Sequence, residues 1–446
     1  MQYNVLNTYD ATVNVVENPY NFEEQHLFDM ALRINKKRSF LFVSKVLGKH
    51  LAVCPQIPLL TSHLLAYRFM EVRFQKKADF TDKICDAIKT KKGLQQVFQE
   101  SRNNKINMKE PLTIIGFAET ATALGHAFFD AFAGNVRFIH TTREVIMDRQ
   151  PVISFEEEHS HATSHHVYAE PSFFLQQSEI VLVDDEMTTG KTNLNIIRQL
   201  HEAYPHLTSY TLVSILDWRN AEHESELQTF AQQLGIEIHT VSLFKGAFTI
   251  LENGELPNPE QCIRKKADAY VHVNSLEKEL KSHLIEHQSR SESNTTHVAN
   301  YYKGSGRFSL EATDQSTLYE DIQVVAKKVA MLRTPGKCLV LGTGEFMYIP
   351  MAIAAQMGED VSFHATTRSP IYADDKSIIT NKFTFNSAEY PGATNYLYNI
   401  PVGEYEDIVI IYERILDRKA LTELFELLKP YTGNIHIVTL GGAEIA

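Results

Sequence analysis

Positive charge is in short supply in this chain: 43 lysines and arginines stand against 55 aspartates and glutamates, a formal net charge of −12 over 446 residues. Non-specific affinity for nucleic acid comes mostly from neutralising phosphates with Lys and Arg, so this balance argues against a nucleic-acid partner. Cysteine is equally sparse. Cys54, Cys85, Cys262 and Cys338 are scattered without a C-x-x-C pair, which removes a disulfide framework and a cysteine zinc site and leaves buried free thiols. No apolar run approaches the roughly 18 residues of a membrane helix. The early polar residues Asn4, Asn7 and Asp10 interrupt any signal-peptide core. The expectation is a cytoplasmic protein without a membrane partner. A complete dinucleotide motif is also missing: Gly342-Thr343-Gly344 begins like one, but Met347 stands where the third glycine belongs. An S-adenosylmethionine or dinucleotide site there rests on two glycines alone.

What the chain does have is concentrated in residues 180–192. Ile180 to Val183 form an aliphatic run suited to a central parallel strand covered on both faces. Asp184 and Asp185 follow, then Met187, Thr188, Thr189, Gly190, Lys191 and Thr192, and Asn193 to Leu200 continue at helical spacing. Small and hydroxyl side chains at a helix start bring backbone N–H groups and the helix dipole to bear on a phosphate. Gly190-Lys191-Thr192 ends like a triphosphate-binding P-loop, yet Asp185 occupies the place of that motif's first glycine.

A chain of this length exceeds one ordinary hydrophobic core, and two domains are expected. The spacing predicts helices over 23–34, 59–74 and 79–98, a strand over 39–44 and a polar loop over 99–110. From 111 the pattern alternates: strand 112–115, turn Gly116 to Thr120, helix 121–132, strand 136–139. Such alternation implies a parallel sheet with ligands beyond the carboxyl ends of its strands. Strands at 210–216 and 236–243 and a helix at 227–234 extend it. Between Arg143 and Ser178 lies a long stretch with no clear period, rich in histidine. His159, His161, His165 and His166 suit either a zinc site or a hydrated functional loop. Arg33, Lys36, Lys37, Arg38, Lys45, Lys49 and His50 form a local basic island, read as a solvated edge or as a neighbour of an anionic substrate. Residues 276–306 are polar and are expected to be a linker.

The carboxyl-terminal part repeats the order of the first. Gly116 and Glu119 precede Thr141-Thr142-Arg143; Gly342 and Glu345 precede Thr366-Thr367-Arg368, with glycine and arginine 27 residues apart in the first copy and 26 in the second. Glu406 to Ile411 parallels Ser178 to Val183, but Tyr412-Glu413 replaces the two aspartates and no phosphate turn follows.

The 180–192 segment resembles the signature with which type I phosphoribosyltransferases bind phosphoribosyl pyrophosphate (PRPP), and Thr367-Arg368-Ser369-Pro370 resembles the signature of the TRSP domain. Together they resemble two-domain bacterial proteins encoded beside tellurite-resistance and stress genes. The resemblance implies an α/β fold: a phosphoribosyltransferase domain over 1–275, the linker, and over 307–446 a smaller Rossmann-like TRSP domain that is a degenerate repeat of the first. It further implies a Mg²⁺-dependent transferase moving the phosphoribosyl group of PRPP to a planar nitrogenous acceptor with release of pyrophosphate. Asp184 and Asp185 would hold the ribose hydroxyls and Mg²⁺, and residues 187–192 the 5-phosphate. Pyrophosphate would lie on Gly116, Ala118, Glu119 and Thr120. The arginine-glycine pair usual there is absent, and Arg143 is the candidate cation or a structural ion pair. A loop carrying His159 and His161 would close over the ribose. Trp218 would stack on the acceptor or serve as a packing residue. A PRPP-binding regulator without turnover is the rival, which Glu119 in the pyrophosphate turn favours. A homo-oligomer is compatible with either.

Overall fold

In the computed structural model, residues 2–35, 39–78, 80–156, 164–254 and 268–442 are described. Five parallel strands form the middle of an eight-stranded sheet, in the order Glu237–Glu252, Ser209–Asp217, Glu179–Met187, Ile106–Gly116 and Phe132–His140. Tyr9–Glu17 and Gln2–Val5 extend one side antiparallel, and Leu310–Glu311 closes the other. Ile180 to Val183 are fully buried, as the aliphatic run requires of the central strand. A second sheet is wholly parallel: Tyr270–Ser275, Thr432–Thr439, Tyr405–Tyr412, Cys338–Gly342 and Val361–Ala365. This is the expected α/β architecture. Among the described residues no helix is long and apolar enough to cross a membrane.

Five expectations need correction. Glu24–Leu27 is one helical turn, and Phe28–Leu32 is a strand paired antiparallel with Phe40–Ser44. Its apolar residues fit both periods, and the partner strand decides. The helix expected over 79–98 is two helices, Thr81–Thr90 and Leu94–Asn103, because Lys91 and Gly93 take left-handed φ values of 55° and 63°. The loop expected to follow is the second helix's end and the start of Ile106–Gly116. The polar stretch 276–306 is folded, not a linker: Leu284–Arg290 and Thr296–Tyr302 form a hairpin whose first strand pairs with Val145–Ile146 of the amino-terminal half. Tyr270–Ser275, assigned by composition to the first domain, is an edge of the second sheet.

The two halves share one large apolar core, and the basic amino-terminal segment joins them. Val53 exchanges backbone bonds of 2.9 and 2.8 Å with Phe363 at the edge of the second sheet. Ala31, Leu41 and Val43 pack with Ile371, Ile379 and Tyr398.

The bonds that shape the turns of the first half have counterparts in the second. Thr141 N–H donates to the Gly116 carbonyl and Thr366 N–H to that of Gly342 (2.9 and 3.1 Å). The Thr141 hydroxyl accepts from Ala118 N–H and the Thr366 hydroxyl from Gly344 N–H (2.9 and 3.0 Å). Thr142 bridges His166 in a following hairpin, as Thr367 bridges Tyr396. The Tyr168 and Tyr398 hydroxyls accept from Ile146 and Ile371 N–H, both at 2.9 Å.

Between the halves lies a dry cluster of charges. Arg307 and Arg414 are 1% and 0% exposed. Arg307 Nη1 donates to Glu413 Oε2 at 2.6 Å and Arg414 Nη1 to the same oxygen at 2.9 Å. Arg414 also donates to Glu144 of the first half, whose Oε1 accepts from the Tyr301 hydroxyl at 2.6 Å. Glu389 is the odd member: burial pushes its carboxyl up to about 8, against the pull of Arg414, while its Oε1 accepts from Glu413 N–H at 3.2 Å. A carboxyl held above its unfolded value binds its proton more tightly in the folded state. The stability it confers is complete below pH ~4.5 and drains away as pH rises to about 8. Glu389→Gln keeps the shape and the accepting oxygen without the charge. Thermal unfolding should show the variant matching the wild type near pH 5 and exceeding it at pH 8, by on the order of 3 kcal/mol.

Candidate functional site

The central strand carries its acids into an open cleft of about 890 Å³. Asp184 and Asp185 do not follow the strand, as expected, but lie inside Glu179–Met187, half-buried, with Glu186 beside them on the cleft wall. Asp184 Oδ1 accepts from Asp185 N–H at 2.9 Å. The chain then turns through Thr188 and Thr189 to Gly190, whose φ of 83° suits glycine, and Lys191–Ala203 begins as a helix. Gly190 brings no capping side chain to that start, and the Thr189 hydroxyl accepts from Lys191 N–H at 3.3 Å; the first turn borders the cleft, which residues 187–193 line. Against Gly190 lies Arg219, 4% exposed and bidentate on Asp217 at 2.9 and 2.6 Å. A Cβ on Gly190 would sit 3.3 Å from Arg219 Cδ. The Arg219 Nη1 is buried and has no hydrogen-bond partner among the described residues.

The opposite wall is apolar and aromatic. Phe40, Phe248, Ala247, Ile250 and Trp218 line it, with Tyr9, Asn220 and His223 at its polar margin. Trp218 is 4% exposed and its ring is stacked on Phe42, centroids 4.2 Å apart. Gly246 is required here, since a Cβ would stand 2.5 Å from the indole. Packing against Phe42 thus holds one face of the Trp218 ring, which also lines the cleft. The indole Nε1 is buried with no hydrogen-bond partner. Asn220 and His223 form a reciprocal capping box at the start of Ala221–Leu234.

The turn Gly116 to Thr120 stands beyond the neighbouring strand Ile106–Gly116 and leads into Ala121–Asp130. Gly116 permits close packing, because a Cβ would lie 2.5 Å from the Ala121 carbonyl. Ala118 N–H is committed to Thr141. Its cation is one the motif reading passed over: Lys49 reaches in from the basic island, and its ammonium donates to the Thr120 hydroxyl. Arg143, the expected cation, gives its backbone N–H to Glu345 at 2.8 Å. Glu119 is 7% exposed and accepts from Arg368 N–H at 3.3 Å.

His159 and His161 lie outside the described residues. His165 and His166 do not converge as zinc ligands: His165 Nδ1 pairs with the Thr141 hydroxyl at 2.9 Å and His166 Nδ1 with that of Ser154 at 2.8 Å. They sit on opposite faces of Ser164–Val167, which alternation dictates. Among the described residues no three His, Cys, Asp or Glu side chains gather to hold a metal. Two adjacent carboxylates in a cleft nevertheless fit a hard cation that takes its other oxygens from a phosphorylated ligand, as Mg²⁺ commonly does. Of the cysteines, Cys85 and Cys338 are buried and free, their thiols pushed up to about 12 by burial, Cys54 is free and half-buried, and Cys262 lies outside the described residues.

Residues 27–247 match the family model described as phosphoribosyl transferase, and residues 304–428 that described as the TRSP domain C-terminal to it. No curated protein matches the chain. Similar solved structures include an adenine phosphoribosyl transferase from Trypanosoma brucei in complex with AMP, pyrophosphate and ribose-5-phosphate, at 18% identity and a TM-score of 0.23, covering 35% of this chain and 68% of that one. A Giardia lamblia enzyme complexed with 9-deazaadenine matches at 13% identity and 0.24, over 36% and 83%. A Staphylococcus aureus hypoxanthine phosphoribosyltransferase matches at 13% and 0.22, over 45% and 78%.

Gly190→Ala tests the turn. An L side chain at this φ should cost about 1–2 kcal/mol in denaturant unfolding and weaken binding of inorganic phosphate, read by titration calorimetry.

Proposed function

Since the chain belongs to the phosphoribosyl transferase family and carries the TRSP domain on its carboxyl-terminal side, we propose that it transfers the 5-phosphoribosyl group of PRPP to a planar nitrogenous acceptor. The observation that carries this is the single cleft uniting the Asp184-Asp185 pair with the helix start behind Gly190. The two carboxylates accept hydrogen bonds from the ribose hydroxyls. The N–H groups of residues 188–192 bind the 5-phosphate, and Arg219, buried against Gly190, adds positive potential beneath it. Thr120 and Lys49 receive the pyrophosphate, supplying the cation that Arg143 was expected to provide. The aromatic wall of Phe40, Phe248 and Trp218 favours a flat acceptor whose polar edge meets Asn220 or His223.

In the reaction the acceptor nitrogen bonds to C1 of the ribose as the C1–oxygen bond to pyrophosphate breaks, and the electron pair leaves with pyrophosphate. Mg²⁺, when bound by Asp184 and Asp185 with the substrate's oxygens, would offset the leaving group's charge. The residues act by position and field, without a covalent intermediate. A cytoplasmic setting suits PRPP, a small soluble metabolite.

Asp184→Asn and Asp185→Asn should fold normally and lose PRPP-dependent pyrophosphate release by at least about a hundredfold; release at the wild-type rate would refute the assignment. Lys49→Met should raise KM for PRPP about tenfold and leave ribose 5-phosphate affinity within twofold. The only tryptophan lines the cleft, so its emission reports binding directly. Binding of PRPP with no release against any base in a panel of purines, pyrimidines and related heterocycles would favour the regulator.

A further inference from the structure

The first half's leaving-group side is held by the second half. Glu345 reaches across and accepts from the Thr142 hydroxyl at 2.6 Å and from Arg143 N–H at 2.8 Å, while its own carbonyl accepts from the Thr122 hydroxyl at 3.0 Å. It thereby ties together the 141–143 turn and the helix start behind the 116–120 turn. Burial alone would raise the Glu345 carboxyl, but Arg307, His140 and these bonds outweigh it, and the group stays below its usual range. The exchange is reciprocal: Arg368 N–H of the second half donates to Glu119 of the first. Burial opposes charge on the Arg368 guanidinium, yet Glu292 and Glu119 hold it protonated. The acid that argued against an anion on this turn thus has a partly exposed cation near it.

The second half's equivalent place is closed. Glu413 stands where the first half has Asp185, and its carboxylate is filled by Arg307 and Arg414, all three essentially without exposure. Thr343 to Met347 is buried throughout, as is its counterpart Phe117 to Ala121, so it is the filled Glu413 carboxylate that sets the second half apart. A sugar phosphate finds no opening there.

We propose that the carboxyl-terminal half is the fixed wall of the pyrophosphate subsite, with Glu345 as its positioning residue, and not a second ligand-binding domain. This rests on the phosphoribosyltransferase reading. Glu345 touches no reacting atom; it sets the spacing of Thr120 and the 116–122 backbone against a ribose held some distance away by residues 184–192.

The test is Glu345→Gln in the full chain, with Mg²⁺-pyrophosphate and ribose 5-phosphate titrated separately and binding read by calorimetry and Trp218 fluorescence. The amide keeps one accepting oxygen but turns an NH₂ toward one of the two donors. Pyrophosphate affinity should fall about tenfold and ribose 5-phosphate affinity stay within twofold. Thr122→Val, which removes the hydroxyl shared by the Glu345 and Glu119 carbonyls (3.0 and 2.9 Å), should shift the same ligand in the same direction and serves if the first variant fails to fold. Equal loss of both ligands, or loss of neither, overturns the proposal while leaving the transferase reading standing. A wild type that binds neither ligand overturns both.

Discussion

The structure hangs on a shortage of water between its halves. Arg307 and Arg414 lie in a space closed to solvent, where an unpaired charge would be prohibitive, and every carboxylate that answers them is fixed by a further donor. Glu144 comes from the first half; Glu413 comes from the second; Tyr301, between the two arginines, comes from the hairpin joining them. Removing one partner strands another, so the halves cannot slide past each other by small steps. With that register fixed, the 116–122 and 141–143 turns of the first half meet the turns carrying Glu345 and Arg368 in the second.

The phosphate cradle was legible because it is local. An aliphatic strand, two acids, a glycine and a helix start occupy thirteen consecutive residues, and each part has its own signature. The placement of Lys49 was half legible: the basic island pointed to an anion, but only the fold carries residue 49 to residue 120. Phe28–Leu32 was misread since its apolar spacing fits a helix face as well as a strand, and the deciding partner, Phe40–Ser44, is a tertiary fact. The polar hairpin at 284–302 was misread for the opposite reason. Its first strand alternates buried and exposed residues, but the ones it buries, His287 and Ser289, are polar, so composition does not separate it from a linker.

Glu119 shows how a local anomaly resolves. In isolation a carboxylate on an anion-binding turn is a contradiction, and it weighed toward a protein that binds without reacting. In the fold, its bond from Arg368 makes it part of the brace between the halves. Glu345 does the same work in the opposite direction, and the recurrence of Gly-x-x-Glu and Thr-Thr-Arg in both halves is the sequence trace of that exchange. Trp218 is both a packing residue and part of the cleft lining: Phe28, Phe42, Phe244 and Phe248 surround it, so the lone indole is held rigidly at the cleft's aromatic wall.

The segment that joins the halves also orders events during synthesis. Ala31, Leu41 and Val43 leave the ribosome early, yet the residues that cover them, Ile371, Ile379 and Tyr398, are translated more than three hundred residues later. Val53 waits as long for Phe363. At ~5–20 residues per second the amino-terminal hairpin spends on the order of half a minute with an uncovered apolar face, and contacts of such range close slowly afterwards. A chain cut short before residue 361 would lack every residue that covers this apolar surface from the second half.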